Sequence, residues 1–182
     1  PIFSAALYKG RYAEATYGVA MRQAHDRIMS LPPGRSDNRQ RVRRILQRLA
    51  GKPTGRLLDV GSGLGVFPAA MREAGWECTA LDPDPRAIAM IEGAADVRGI
   101  CGDFMSIAPT GHFDLVAFNK VLEHVPDPSA MLARAAPWLA AEGTVYVELP
   151  DGESALVEGP GREEFFVEHY HAFSAASLGL LA

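Results

Sequence analysis

Leu57-Leu-Asp-Val-Gly-Ser-Gly-Leu-Gly65 is the stretch that decides how this chain folds. The apolar residues Leu57, Leu58 and Val60 enclose one acidic residue, Asp59, and glycines follow at 61, 63 and 65. A short apolar run bounded by turn residues reads as a buried strand. Alternate glycines let the backbone turn sharply and approach a ligand with no Cβ in the way. Beyond them Phe67, Ala70, Met71 and Ala74 recur at helical spacing. The stretch is a strand, a glycine loop and a helix N-terminus, an arrangement suited to nucleotide-like cofactors.

The flanking sequence continues the pattern. Downstream, apolar strands are predicted at 56–60, 77–81, 97–101, 113–118 and 144–149. Helices fall between them at 65–74, 86–92 and 128–139, with Asp127 capping the last and Pro137 kinking or ending it. Such alternation predicts a parallel sheet covered on both faces. Upstream, Val42, Ile45, Leu46 and Leu49 form an apolar helical stripe, with Asp37 as its cap and Gly51 and Pro53 at its end. An earlier helix is expected over 12–29, joined to it by the loop Leu31-Pro-Pro-Gly34. Tyr8, Tyr12 and Tyr17 read as packing residues, or as part of a lid. Arg39, Arg41, Arg43, Arg44 and Arg48 read as a solvated helix face, with an anionic substrate as the sharper alternative. Residues 1–52 are expected to be a helical segment, a lid or substrate cap, ahead of a domain over 53–182. After 150, a Gly-, Glu- and Pro-rich loop over 151–164 leads to the start of a helix at 175.

Composition narrows the classes. A chain of 182 residues, 48% hydrophobic, carries one sizeable core. Its net charge of −4 gives no electrostatic case for nucleic acid as the main partner. No apolar run is long enough to span a membrane, and no signal peptide is visible, so the cytoplasm is the expected compartment. Cys78 and Cys101 lie in strand-like stretches and read as small buried hydrophobes.

Polar residues fall at the carboxyl ends of the predicted strands, where open α/β sheets bind ligands: Asp59, Asp82, Asp103 and Asn119. An acidic side chain ending the second strand can accept from both hydroxyls of a ribose. The dinucleotide fingerprint G-x-G-x-x-G would place its third glycine at 66, where this chain has Val66. Asp59 would also set a negative charge near a pyrophosphate, whereas beside a sulfonium and an α-ammonium the same carboxylate is favourable.

Asp59-Val-Gly-Ser-Gly-Leu-Gly65, Leu81-Asp82, Gly102-Asp103-Phe104, Phe113-Asp-Leu-Val116 and Val121-Leu-Glu-His-Val-Pro-Asp-Pro128 together resemble the class I S-adenosylmethionine-dependent methyltransferases, closest to the small-molecule branch. The resemblance spans about residues 56–150. It implies an α/β, doubly wound, mainly parallel Rossmann-like sheet with helices on both faces, and S-adenosylmethionine as the methyl donor. By the resemblance, Asp59 and the backbone of Gly61, Ser62, Gly63 and Gly65 hold the methionine end. Asp82 takes the ribose hydroxyls, Pro83 lies beside the adenine, Asp103 accepts from its amino group and Phe104 packs nearby. Asn119 and Lys120 line the methionine part. The resembled fold ends in a strand pair beside the fifth strand. No such pair is legible here, so an exposed apolar edge and a partly missing acceptor pocket are expected, unless a homodimer covers the edge.

Methyl transfer is an in-line displacement that depends chiefly on positioning. A base is needed only where the acceptor must lose a proton. His124, His169 and His171 are the candidates, since histidine titrates near pH 7. His169 and His171 would face the same side of an extended segment. With no third ligand at suitable spacing, no metal is expected. The acceptor is expected to be a small molecule. The competing readings are a catalytically silent cofactor-binding module and a nicotinamide-dependent oxidoreductase.

Overall fold

The computed structural model describes residues 21–159, 162 and 166–181, and Tyr8, Tyr12 and Tyr17 lie outside them. Two helices precede the sheet, α1 (Met21–Met29) and α2 (Asp37–Arg48). Ser36, not Asp37, caps α2. Ser36 keeps an extended backbone outside the helix, so its Oγ reaches forward to accept from the Arg39 amide at 3.2 Å.

The strands then alternate with helices as expected: β1 (Arg56–Val60), α3 (Val66–Glu73), β2 (Glu77–Asp82), α4 (Pro85–Ala95), β3 (Arg98–Cys101) and β4 (Phe113–Asn119). After the short α5 (Pro128–Ala133) the helix does not run on to 139. Pro137 has no amide to donate, and the chain makes a 3-10 turn, Ala136–Trp138, whose Trp138 is fully buried. The last strand, β5 (Leu139–Glu148), therefore begins at Leu139 rather than Thr144, with a register shift opposite Phe113 and Leu115 absorbing the early start. The stretch expected as loop holds α6 (Gly152–Glu158). Asp151 caps it by accepting from the Glu153 amide, and the chain later enters α7 (Ala175–Leu181).

All five strands are parallel, in the order β3-β2-β1-β4-β5. Among the described residues no strand follows β5, so β5 is an outer strand, and only an isolated bridge, Asp151 to Phe173, lies beyond it. Successive side chains of a strand point to opposite faces, so the sheet organises two apolar layers. Leu57, Cys78, Leu115 and Ala117 pack under α2, α3 and α4 through Val42, Ile45, Phe67, Met71, Ile88 and Ile91. On the other face Leu58, Leu81, Val116 and Phe118 meet Phe104, Leu122, Met131 and Trp138. Cys78 is buried, but Cys101 is exposed because β3 is the opposite outer strand. Among the described residues, no helix is long and apolar enough to cross a membrane.

Candidate active site

The strand order reverses between β1 and β4, the point beyond the carboxyl ends of the strands where open α/β sheets bind ligands. Asp59 of β1 and Asn119 of β4 meet there, Asn119 Nδ2 donating to Asp59 Oδ1 at 2.9 Å. Asp59 is 2% exposed. Burial pushes its carboxyl up to about 7 against the pull of the Asn119 bond. Lys120 turns the chain out of the sheet in a left-handed conformation, φ +55°, and its amide donates to the Glu148 carbonyl at 2.8 Å.

The glycine loop packs against the end of β2. The Gly61 and Ser62 amides donate to the Leu81 carbonyl at 2.8 and 3.3 Å, and the Gly63 amide donates to Asp82 Oδ2 at 2.9 Å. The other Asp82 oxygen accepts from the Asp84 amide at 2.8 Å. Burial raises the Asp82 carboxyl, partly offset by these amides. Gly63 and Gly65 are both left-handed, at φ +51° and +64°. A Cβ on Gly63 would enter open space, whereas one on Gly65 would lie 2.5 Å from Ile91 Cγ1. Gly65 thus lets α4 close against the loop, and Gly63 leaves room in front of it.

Two buried carboxylates beside a loop with an open face form a site short of positive charge. A ligand carrying a sulfonium and an α-ammonium supplies what this donor set lacks, so S-adenosylmethionine fits it. Pro83 is half-buried next to Asp82. Asp103 is exposed after β3, and its Oδ1 accepts from the Met105 amide at 2.9 Å. Phe104 is 2% exposed, stacked on Trp138 and edge-on to Phe118, inside the second core layer.

The histidines divide. His124 follows β4 on a 3-10 turn, Leu122–His124, and its ring lies edge-on to His169 with centroids 4.6 Å apart. His124 Nδ1 is 3.3 Å from the Glu168 carbonyl, so the tautomer that bonds it carries its lone pair on Nε2. Burial, then the neighbouring His169, lowers the His124 pKa, which keeps the ring neutral near pH 7. The segment bearing His169 and His171 is not extended. The His169 amide closes a turn onto the Phe166 carbonyl, and the His171 ring packs against Tyr170 and Phe173. The rule that residues two apart face one side therefore does not apply. The turn also brings in Glu123: donor atoms of Glu123, His124 and His169 all lie within 4.8 Å of one another. The spacing of the histidines gave no hint of that third group.

The arginines of α2 are not simply solvated. Arg41 forms a two-pronged pair with Glu148, Nε donating at 2.8 Å, and Arg44 approaches the same carboxylate at 3.5 Å. Arg39 donates to the Met29 carbonyl and to Glu73. His25 and Asn38 were passed over in the sequence, yet both are buried and reach the loop region across long stretches of chain. His25 Nδ1 lies 2.8 Å from the Leu64 carbonyl, and Asn38 Nδ2 donates to the Val66 carbonyl at 2.6 Å.

Comparisons with known proteins bear on the family and the fold. The family model described as a methyltransferase domain matches residues 35–182. A ubiquinone biosynthesis O-methyltransferase of Pseudomonas aeruginosa (strain LESB58) is 33% identical over 131 residues, covering 67% of this chain and 55% of that protein. One of the same name from Bordetella avium is 32% identical over 109 residues, covering 56% of this chain and 45% of that protein. The chain spans about half the length of these curated relatives. A plantazolicin methyltransferase solved with a desmethylPZN analog and SAH has the same fold, with TM-score 0.66 and 17% identity over 93% of this chain and 71% of that one. A possible histamine N-methyltransferase of Thermotoga maritima has TM-score 0.64 and 19% identity over 96% of this chain and 76% of that one. The chain belongs to the methyltransferase-domain family, and its fold and motifs are those of the class I S-adenosylmethionine-dependent methyltransferases.

Proposed function

We propose that this protein transfers a methyl group from S-adenosylmethionine to a small-molecule acceptor bearing a hydroxyl. The observation that carries the reading is the pair of buried carboxylates, Asp59 and Asp82, flanking a glycine loop with one open face. The O-methyltransferase names of the sequence relatives favour a hydroxyl acceptor. When bound, S-adenosylmethionine supplies an electrophilic methyl on a positively charged sulfur. Asp59, held by Asn119, would complement the charge at the methionine end, with the Gly61, Ser62, Gly63 and Gly65 backbone and Lys120 around it. Asp82 would accept from the ribose hydroxyls, while Pro83, Asp103 and Phe104 would flank or support the adenine. His124, neutral and backed by His169, would take the acceptor's proton on Nε2 as the new carbon–oxygen bond replaces the carbon–sulfur bond. His171 would line the acceptor side, and residues 21–52 would cap the domain that follows.

Calorimetry with S-adenosylhomocysteine and a transfer assay with labelled S-adenosylmethionine over a panel of small phenols test this. Asp82→Ala should weaken binding at least about tenfold through lost hydrogen bonds to a charged group, and His171→Ala should change it little. No binding to the unaltered protein, or equal effects of the two substitutions, would overturn the assignment.

A further inference from the structure

A loop built on left-handed glycines loses more freedom on folding than any other kind of segment, so it must be held from outside. Its amide side is held by the end of β2: Gly61 and Ser62 donate to Leu81, and Gly63 donates to Asp82. Its far end, at Leu64 and the first residue of α3, is held by the helices that precede the sheet. His25 of α1 reaches the Leu64 carbonyl at 2.8 Å, and Asn38 of α2 donates to the Val66 carbonyl at 2.6 Å. A carbonyl cannot donate, so His25 must present Nδ1–H to Leu64. His25 and Asn38 are 4% and 5% exposed, which removes competition from water at both contacts. Peptide planes are rigid, so fixing the Leu64 carbonyl also fixes the direction of the Gly65 amide, and fixing the Val66 carbonyl anchors the first residue of α3 directly behind the loop.

We propose that His25 and Asn38 are positioning residues for the methyl donor, holding the glycine loop in its binding conformation through the Leu64 and Val66 carbonyls. The proposal rests on the reading that the Gly61–Gly65 loop receives S-adenosylmethionine. The two helices are on this account the outer jaw of the cofactor loop.

The test compares dissociation constants for S-adenosylhomocysteine, amide exchange over residues 61–66 and melting temperatures in the full chain. His25→Phe keeps a ring and loses the donor, whereas His25→Asn restores an N–H near the Nδ1 position. Asn38→Ala removes the second tie and serves the same purpose should His25→Phe not fold. Val42→Ala, a core truncation in α2, controls for stability alone. A lost tie lowers the fraction of loops competent to bind, so His25→Phe and Asn38→Ala should each weaken binding about tenfold and speed loop exchange. His25→Asn should recover most of the affinity, and Val42→Ala should lower the melting temperature with affinity intact. Unchanged affinity in His25→Phe, or affinity that follows melting temperature equally in Val42→Ala, would overturn the proposal. Asp82→Ala separates the two layers of argument. If it weakens binding and the tie variants do not, the loop reading stands and the positioning role falls. If it leaves binding unchanged as well, the loop reading falls and takes the positioning role with it.

Discussion

Asp59 is where the site is electrostatically most expensive. Its carboxyl sits at about 7 in the fold against 3.8 for the ordinary group, raised by burial. The folded value lies above the unfolded one, so ionisation opposes folding. That cost is absent below the unfolded value, grows between the two and is complete above the folded one. Asp59→Asn should therefore raise the melting temperature by several degrees at pH 8 and leave it nearly unchanged at pH 4, as differential scanning calorimetry would register. An α-ammonium beside the carboxylate prefers the ionised form, and S-adenosylhomocysteine keeps that group although its sulfur is uncharged, so its binding should tighten from pH 5.5 to 7 and level off above. The Asn variant should bind more weakly, with that slope lost. A slope that persists in Asp59→Asn would place the titrating group elsewhere.

The strand–loop–helix that Asp59 introduces works because its glycines have different tasks. Gly65→Ala forces a left-handed residue and sets a Cβ against Ile91, so unfolding in urea should show a loss of about 2 kcal/mol or more. Gly63→Ala meets nothing within 4 Å and carries only the left-handed penalty, about 1 kcal/mol, yet it fills the space in front of the loop. It should cost affinity for S-adenosylhomocysteine out of proportion to its cost in stability. Equal ratios of affinity loss to stability loss in the two variants would contradict this division. Most of this element was legible in the sequence, because strand, turn and helix each leave a local signature: β1 begins and ends at the expected residues. The start of β5 was not, since its early residues pair across a register shift that has no periodic signal. α6 hid in a stretch whose glycines and glutamates read as loop. His25, Asn38 and Glu123 were missed for a different reason. The contacts of His25 and Asn38 join distant segments and nothing in the neighbouring residues marks them, whereas Glu123 stands in a motif that carries the resemblance but meets His169 only through a turn.

The helices before the sheet belong to the same packed body as the sheet, because Val42 and Ile45 share a core layer with Leu57 and Met71. Their polar counterpart is the Arg41–Glu148 pair, which ties α2 to the last residue of an outer strand. Both side chains are largely buried, 12% and 21% exposed, and the Tyr146 hydroxyl donates to the same carboxylate at 2.7 Å. Burial alone would raise Glu148, but the Arg41 and Tyr146 bonds outweigh it and leave the carboxyl below its usual range. The folded value lies below the unfolded one, so this contribution is present above the unfolded value and is lost as the pH falls through the folded one. Removing one partner strands the other. Arg41→Met should cost about 2 kcal/mol in urea unfolding near pH 7, because Glu148 keeps its charge and loses its main counter-ion. Glu148→Gln should also destabilise, and the double variant should lose less than the two single losses together, with a coupling of about 1 kcal/mol or more. Additive losses would mean that α2 is held by its apolar stripe alone. A measured coupling would make the β5 edge and the N-terminal helices one cooperative unit, closing the sheet around the end that carries Asp59 and Asn119.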